Sequence, residues 1–186
     1  MVSCDGKEMK SSLLILDTQV NMFDPAEPVH GAEYLLETLQ ELIGKARTSG
    51  IQIVYIQNNG SEGDPDQPNK PGWFIHPAIA PHKGDLIFQK TPPDAFHGTL
   101  LHSELKSRGI RRLIVAGMQT ELCIEATCRR AVELGYPVTL VADAHSTFDS
   151  EDYPAKQVIT QTNKELNTLV KIELSRDLFF FPGRRA

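Results

Sequence analysis

An open α/β sheet of parallel strands, covered by helices on both faces, is the fold this sequence predicts. Short apolar runs alternate with amphipathic stretches from end to end, and no repeat or low-complexity tract breaks the alternation. Residues 12–16 (SLLIL) read as a buried strand that stops at Asp17. Residues 33–49 place Leu35, Leu39, Leu42 and Ala46 on one helical face, and Gly50 ends that helix. The β-branched run 51–56 is the second strand, and 58–71, crowded with Gly, Pro, Asn and Asp, is a long loop. Residues 85–88 give a short third strand, 98–108 a helix, 112–116 a fourth strand and 120–134 the next helix. A fifth strand at 137–142, a helix at 151–167 and a short sixth strand at 169–174 complete the series. Strands that alternate with helices run parallel, buried on both faces.

The 186 residues suit a single domain over 1–186, with a polar tail at 1–11. A chain of this size buries roughly 70% of its unfolded surface, so its stability needs neither disulfide nor metal. A net charge of -5 and a pI near 5.7 speak against a nucleic-acid or anionic-membrane partner. Arg184 and Arg185 read as a solvated tail. The first residues carry Asp5, Lys7, Glu8 and Lys10 and lack the apolar core of a secretory signal. No stretch reaches the roughly 20 apolar residues of a membrane span. Three cysteines without metal spacing suit a reducing compartment, so the expectation is cytoplasmic.

In open parallel sheets ligands sit beyond the carboxyl ends of the strands, where strand order reverses. That directs attention to Asp17, 57–59, Lys90, 117–123 and 143–147. The first strand is followed by Asp17-Thr18-Gln19-Val20-Asn21, without the glycines that let a backbone approach a pyrophosphate, and no P-loop pattern occurs. Dinucleotide binding is excluded on that ground.

Thr120 is a candidate N-cap, which puts Cys123 in a first helical turn, near free N–H groups and the positive end of the dipole. Bringing a thiol from its usual pKa of about 8.5 to about 7 takes roughly 2 kcal/mol. A helix end supplies only about 0.3–1 kcal/mol, so a cation is required. A lysine about 4 Å away supplies roughly 4 kcal/mol before its own desolvation is counted. Lys90, after the third strand, is the candidate, and Asp17 is the carboxylate that could take the thiol proton. Taken singly, each has a plain reading: a buried thiol, a solvated lysine, a turn aspartate. Cys128, inside the helix, and Cys4, in the tail, have plain readings only.

Together the residues resemble the isochorismatase-like cysteine hydrolase superfamily over about 12–165. The resemblance rests on LDTQ at 16–19, KTPPDAFHGT at 90–99 and GMQTELCIEAT at 117–127, with DAHST at 143–147 a weaker match. It implies a Rossmann-like six-stranded sheet of order 3-2-1-4-5-6, with Asp17 and Cys123 at the reversal. It also implies an Asp17–Lys90–Cys123 triad, a cis peptide between Met118 and Gln119, and an oxyanion hole from the N–H groups of Gln119 and Cys123. Lys90 would reach the site by its loop folding back across the sheet edge. Homo-oligomers, as dimers or tetramers, are common in the family, and a neighbouring subunit could complete the pocket.

Within the superfamily, isochorismatases proper typically lack the cysteine, and nicotinamidases carry Asp-x-His after the second strand, where this chain has Gln57-Asn58-Asn59-Gly60. His76 and His82 come later and read as packing or surface residues, so no metal and no cofactor is expected. The expectation is therefore a metal-free amidohydrolase that acts on a small carboxamide, ureido compound or lactam through a thioester. The alternatives are an isochorismatase-type or nicotinamidase-type hydrolase, or a non-catalytic small-molecule binder on the same fold. Gln19, Phe23, Trp73 and Phe96 are the candidate substrate contacts, and His97 is a weaker acid–base candidate.

Overall fold

The computed structural model describes residues 9–180. Six strands form one parallel sheet: β1 (Ser11–Leu16), β2 (Gln52–Asn58), β3 (Leu86–Lys90), β4 (Arg112–Met118), β5 (Val138–Ser146) and β6 (Lys171–Glu173). Their order is β3-β2-β1-β4-β5-β6, so the reversal lies between β1 and β4, as expected. The helices are α1 (Ala32–Thr48), α2 (Leu101–Ser107), α3 (Glu125–Glu133) and α4 (Ala155–Leu166).

β1 shows why these apolar runs become central strands. Side chains alternate across a strand, and here both faces are covered. Leu14 and Leu16 join a core with Leu101 and Leu105 of α2, Cys128 and Ala131 of α3 and Leu166 of α4. Leu13 and Ile15 join a second core with Leu35, Leu39 and Leu42 of α1. A strand buried on both sides has no use for polar alternation, hence LLIL. Among the described residues no helix is long and apolar enough to cross a membrane.

Three local departures from the sequence reading bear on the site. α2 begins at Leu101 rather than at 98, because Gly98 takes φ +69 and belongs to the preceding turn. α4 begins at Ala155, behind Pro154, because proline suits the entry to a helix and not its interior. β5 runs on to Ser146, but its pairing with β4 slips: Val115 faces Leu140, yet Gly117 faces His145. The extra residues in β5 turn its end back towards the start of α3.

The ends of β1 and β4 lie unusually close. Leu16 pairs with Gly117, whose φ is +122. A Cβ on residue 117 would fall 2.1 Å from the Leu16 carbonyl oxygen. Only glycine meets both the dihedral and the spacing.

Candidate active site

Asp17 follows directly from β1 and is held with φ +51, a conformation uncommon outside glycine. Its N–H donates to the Ile56 carbonyl at 2.8 Å, which turns the carboxylate inward at the sheet's carboxyl edge. Strained dihedrals of this kind persist where surrounding structure dictates them, commonly at functional sites.

Cys123 comes from β4. The peptide bond between Met118 and Gln119 is cis, and residues Thr120–Ile124 form a π-helical turn before α3 begins at Glu125. The expected N-cap is absent. Gln119 occupies the capping position without a side-chain bond, and the Thr120 hydroxyl meets His145 Nδ1 at 2.9 Å instead. His145 Nε2 in turn lies 3.0 Å from Asn163 Oδ1, and Asn163 Nδ2 donates to the Ala142 carbonyl. That direction makes Nε2 the protonated nitrogen and leaves Nδ1 to accept from Thr120. Burial lowers the His145 pKa to about 4, so the ring is a neutral strut under the cysteine turn.

Lys90 is the last residue of β3, two strands away from β1. Two strand spacings come to about 10 Å. The Lys90 and Asp17 side chains and the contact between them together span that distance, and Lys90 belongs to the strand itself, so no loop folds back, contrary to expectation. Its ammonium lies 2.9 Å from Asp17 Oδ2, donates to Cys123 Sγ at 3.2 Å and to Asn58 Oδ1 at 3.3 Å. Both ends of the Lys90–Asp17 pair are buried. Neither Asp17 oxygen accepts a well-aligned hydrogen bond, so capacity for a proton or a water remains on the carboxylate.

Burial raises the Asp17 pKa, and the Lys90 charge opposes it only in part. Burial, and then the Asp17 charge, push the Cys123 thiol up to about 12, against the pull of Lys90. Burial works against the Lys90 ammonium, but Asp17 and Cys123 together outweigh it and raise its pKa. The cluster thus holds one ammonium and one negative charge, and a proton shared between carboxylate and thiol; it titrates as a unit. The expected lowering of the thiol pKa by Lys90 is outweighed here by burial and the Asp17 charge. With its pKa raised the thiol keeps its proton, beside the Asp17 carboxylate.

A cavity of about 330 Å³ opens above this floor, at the small end for ligand sites. Asp17 and Cys123 form its base, Asn21, Asn58 and Asp66 one wall, and Leu122 and Phe148 an apolar side. Gln119 also lines it.

None of the four candidate substrate contacts lines the cavity. Gln19 is fully buried and structural: its side chain donates to the carbonyls of Asn58 and Trp73 and accepts from the Asn58 N–H. Trp73 Nε1 donates to Asn59 Oδ1 at 2.8 Å, bracing the loop after β2. Phe23 packs on the His76 ring, and Phe96 stacks on Tyr136 in the core. His97 is exposed on a turn, and His82 is exposed as well. Cys128 is a core residue, whereas Cys4, Arg184 and Arg185 lie outside the described residues. The sequence reading missed Asp66 and Phe148. Phe148 directly follows the 143–147 segment and was within reach of it; Asp66 sits in an irregular loop with no pattern to flag it.

The match with known proteins agrees with this geometry. The isochorismatase domain model matches residues 11–173, and the chain belongs to that family. It is 38% identical over 151 residues to a streptothricin hydrolase of Streptomyces noursei, covering 81% of this chain and 54% of that protein. It is 29% identical over 145 residues to the ureidoacrylate amidohydrolase RutB of Variovorax paradoxus, covering 62% of this chain and 58% of that one. The chain therefore spans little more than half the length of these relatives. An isochorismatase structure from Pseudomonas putida superposes with a TM-score of 0.86 at 28% identity, covering 91% of this chain and 90% of that chain.

Proposed function

We propose that this protein is a cysteine-dependent amidohydrolase that cleaves a C–N bond of a small amide, ureido compound or lactam through a thioester. The observation that carries the reading is the single ammonium of Lys90 bridging Asp17 and Cys123 at the base of the cavity. The names of the streptothricin and ureidoacrylate relatives point the same way.

With a substrate carbonyl above Sγ, Asp17 takes the thiol proton as the C–S bond forms and the C=O π pair moves onto oxygen. The N–H groups of Gln119 and Cys123 receive that oxyanion. On collapse the C=O re-forms, the C–N bond breaks, and Asp17 returns the proton to the departing nitrogen. A water deprotonated by Asp17 then adds to the thioester, the C–S bond breaks, and the proton goes back to sulfur, releasing the acid. Lys90 keeps the site's charge balanced throughout, which spares two anions from facing each other in a dry pocket. The working form is read as a homo-oligomer, a reading that sedimentation analysis tests directly.

The decisive experiment is a screen of carboxamides, ureido compounds and lactams, with ammonia release or ring opening as readout, followed by acid-quenched intact mass on any active compound. The expected result is an acyl adduct on wild type, discharged by hydroxylamine and absent from Cys123→Ala. Wild-type turnover by Cys123→Ala would refute the mechanism.

A further inference from the structure

Asp66 is a carboxylate that no cation pairs with among the described residues. It belongs to the loop after β2, is only 8% exposed, and faces the cavity that Cys123 floors. Its Oδ2 accepts from Asn58 Nδ2 at 2.8 Å, while Oδ1 has no hydrogen-bond partner among the described residues. No lysine, arginine or histidine pairs with it among the described residues, and none lines the cavity. The other acid there, Asp17, is matched by Lys90. The Asn21 Oδ1 atom, in another cavity-lining side chain, is buried and has no partner among the described residues.

The chain also makes room for this acid. A Cβ on residue 60 would lie 2.1 Å from Asp66 Oδ1, and Gly60 does not have a positive φ that would explain the glycine otherwise. Gly60 is therefore the surface against which the carboxylate rests. A carboxylate with one oxygen free and no cation paired to it offers a ligand ammonium or guanidinium a charge-assisted hydrogen bond.

We infer that Asp66 is a specificity residue that selects amides bearing an ammonium or guanidinium at their remote end, and that disfavours amides ending in a carboxylate. The inference rests on the Cys123 reading above and names the substrate class of that site. Asn58 links the two functions, since its Oδ1 accepts from Lys90 while its Nδ2 donates to Asp66. Asp66→Asn separates them. The asparagine oxygen keeps the bond from Asn58, and an NH2 group takes the place of the free oxygen.

The test labels Cys123 with methyl methanethiosulfonate and its 2-aminoethyl and 2-sulfonatoethyl analogues, which are neutral, cationic and anionic. Rates are normalised to 2-mercaptoethanol, and the label is mapped to Cys123 by mass spectrometry. Wild type is expected to prefer the cationic over the anionic reagent by about tenfold, the size of a unit-charge attraction in a partly wet cavity. Asp66→Asn is expected to abolish the preference, and Gly60→Ala, which displaces the carboxylate, to reduce it. Equal charge preference in wild type and Asp66→Asn overturns the assignment of Asp66 while leaving Cys123 as nucleophile. Failure of all three reagents to label Cys123 overturns both.

Discussion

The floor of the cavity and its wall are built by different means. The floor, Asp17, Lys90 and Cys123, stands at or just beyond the ends of β1, β3 and β4, and two of its members are almost fully buried. The wall comes from irregular chain: Asp66 after β2, Phe148 after β5 and Leu122 in the π turn. Sheet hydrogen bonding dictates where the floor residues sit, and loop contacts dictate the wall. Substitutions in the floor should therefore cost both chemistry and stability, whereas substitutions in the wall should redirect selectivity at little cost to the fold.

The largest effect expected is on the chemistry of the floor. Cys123→Ala should lower turnover of any amide substrate by at least about 10⁴-fold, as loss of a nucleophile does elsewhere, with an unchanged circular dichroism spectrum. Next is the ion pair. Lys90→Met strands Asp17 in the interior and should cost about 3–5 kcal/mol in urea unfolding, and adding Asp17→Asn should recover part of that loss. Additivity of the two would mean the pair is not coupled.

The strut under the turn gives a pH-dependent effect. His145 has a folded pKa near 4 against an unfolded 6.5. Between those values the unfolded chain binds a proton that the folded chain does not, so this contribution is intact above pH 6.5 and is lost as pH falls towards 4. The loss amounts to about 3 kcal/mol. Unfolding curves of His145→Gln against wild type should differ by that slope within this window only. Smaller again is the brace between floor and wall. Gln19→Leu breaks its bonds to Asn58 and Trp73 and should cost about 1–3 kcal/mol by denaturant melt. The smallest change in stability belongs to the wall: Asp66→Asn should stay within about 0.5 kcal/mol of wild type.

This division also explains what could be read from the chain. Strands buried on both faces leave unbroken apolar runs, so β1 and β4, and with them Asp17 and the 117–123 segment, were visible in the residues alone. The motifs at 90–99 and 117–127 drew Lys90 and Cys123 into one site. What escaped depends on contacts distant in sequence. The π turn begins at Thr120, whose hydroxyl meets His145, and His145 follows the slip in β5; neither leaves a period in the sequence. Aromatic residues near the mouth suggested a pocket lining, yet Phe96 found a better partner in Tyr136 and Phe23 in His76. Asp66 lies among glycines and prolines whose composition announces a loop and says nothing of which side chain turns inward.

The contact between Gly117 and Leu16 has a wider consequence. Asp17 is the next residue after Leu16, and Cys123 follows Gly117 by one short turn. The gap between the Asp17 carboxylate and the Cys123 sulfur is therefore gauged by two main chains in touch, a ruler made of atoms that mutation cannot exchange. Substrate preference can drift through the wall over generations, because nothing there resets this measure.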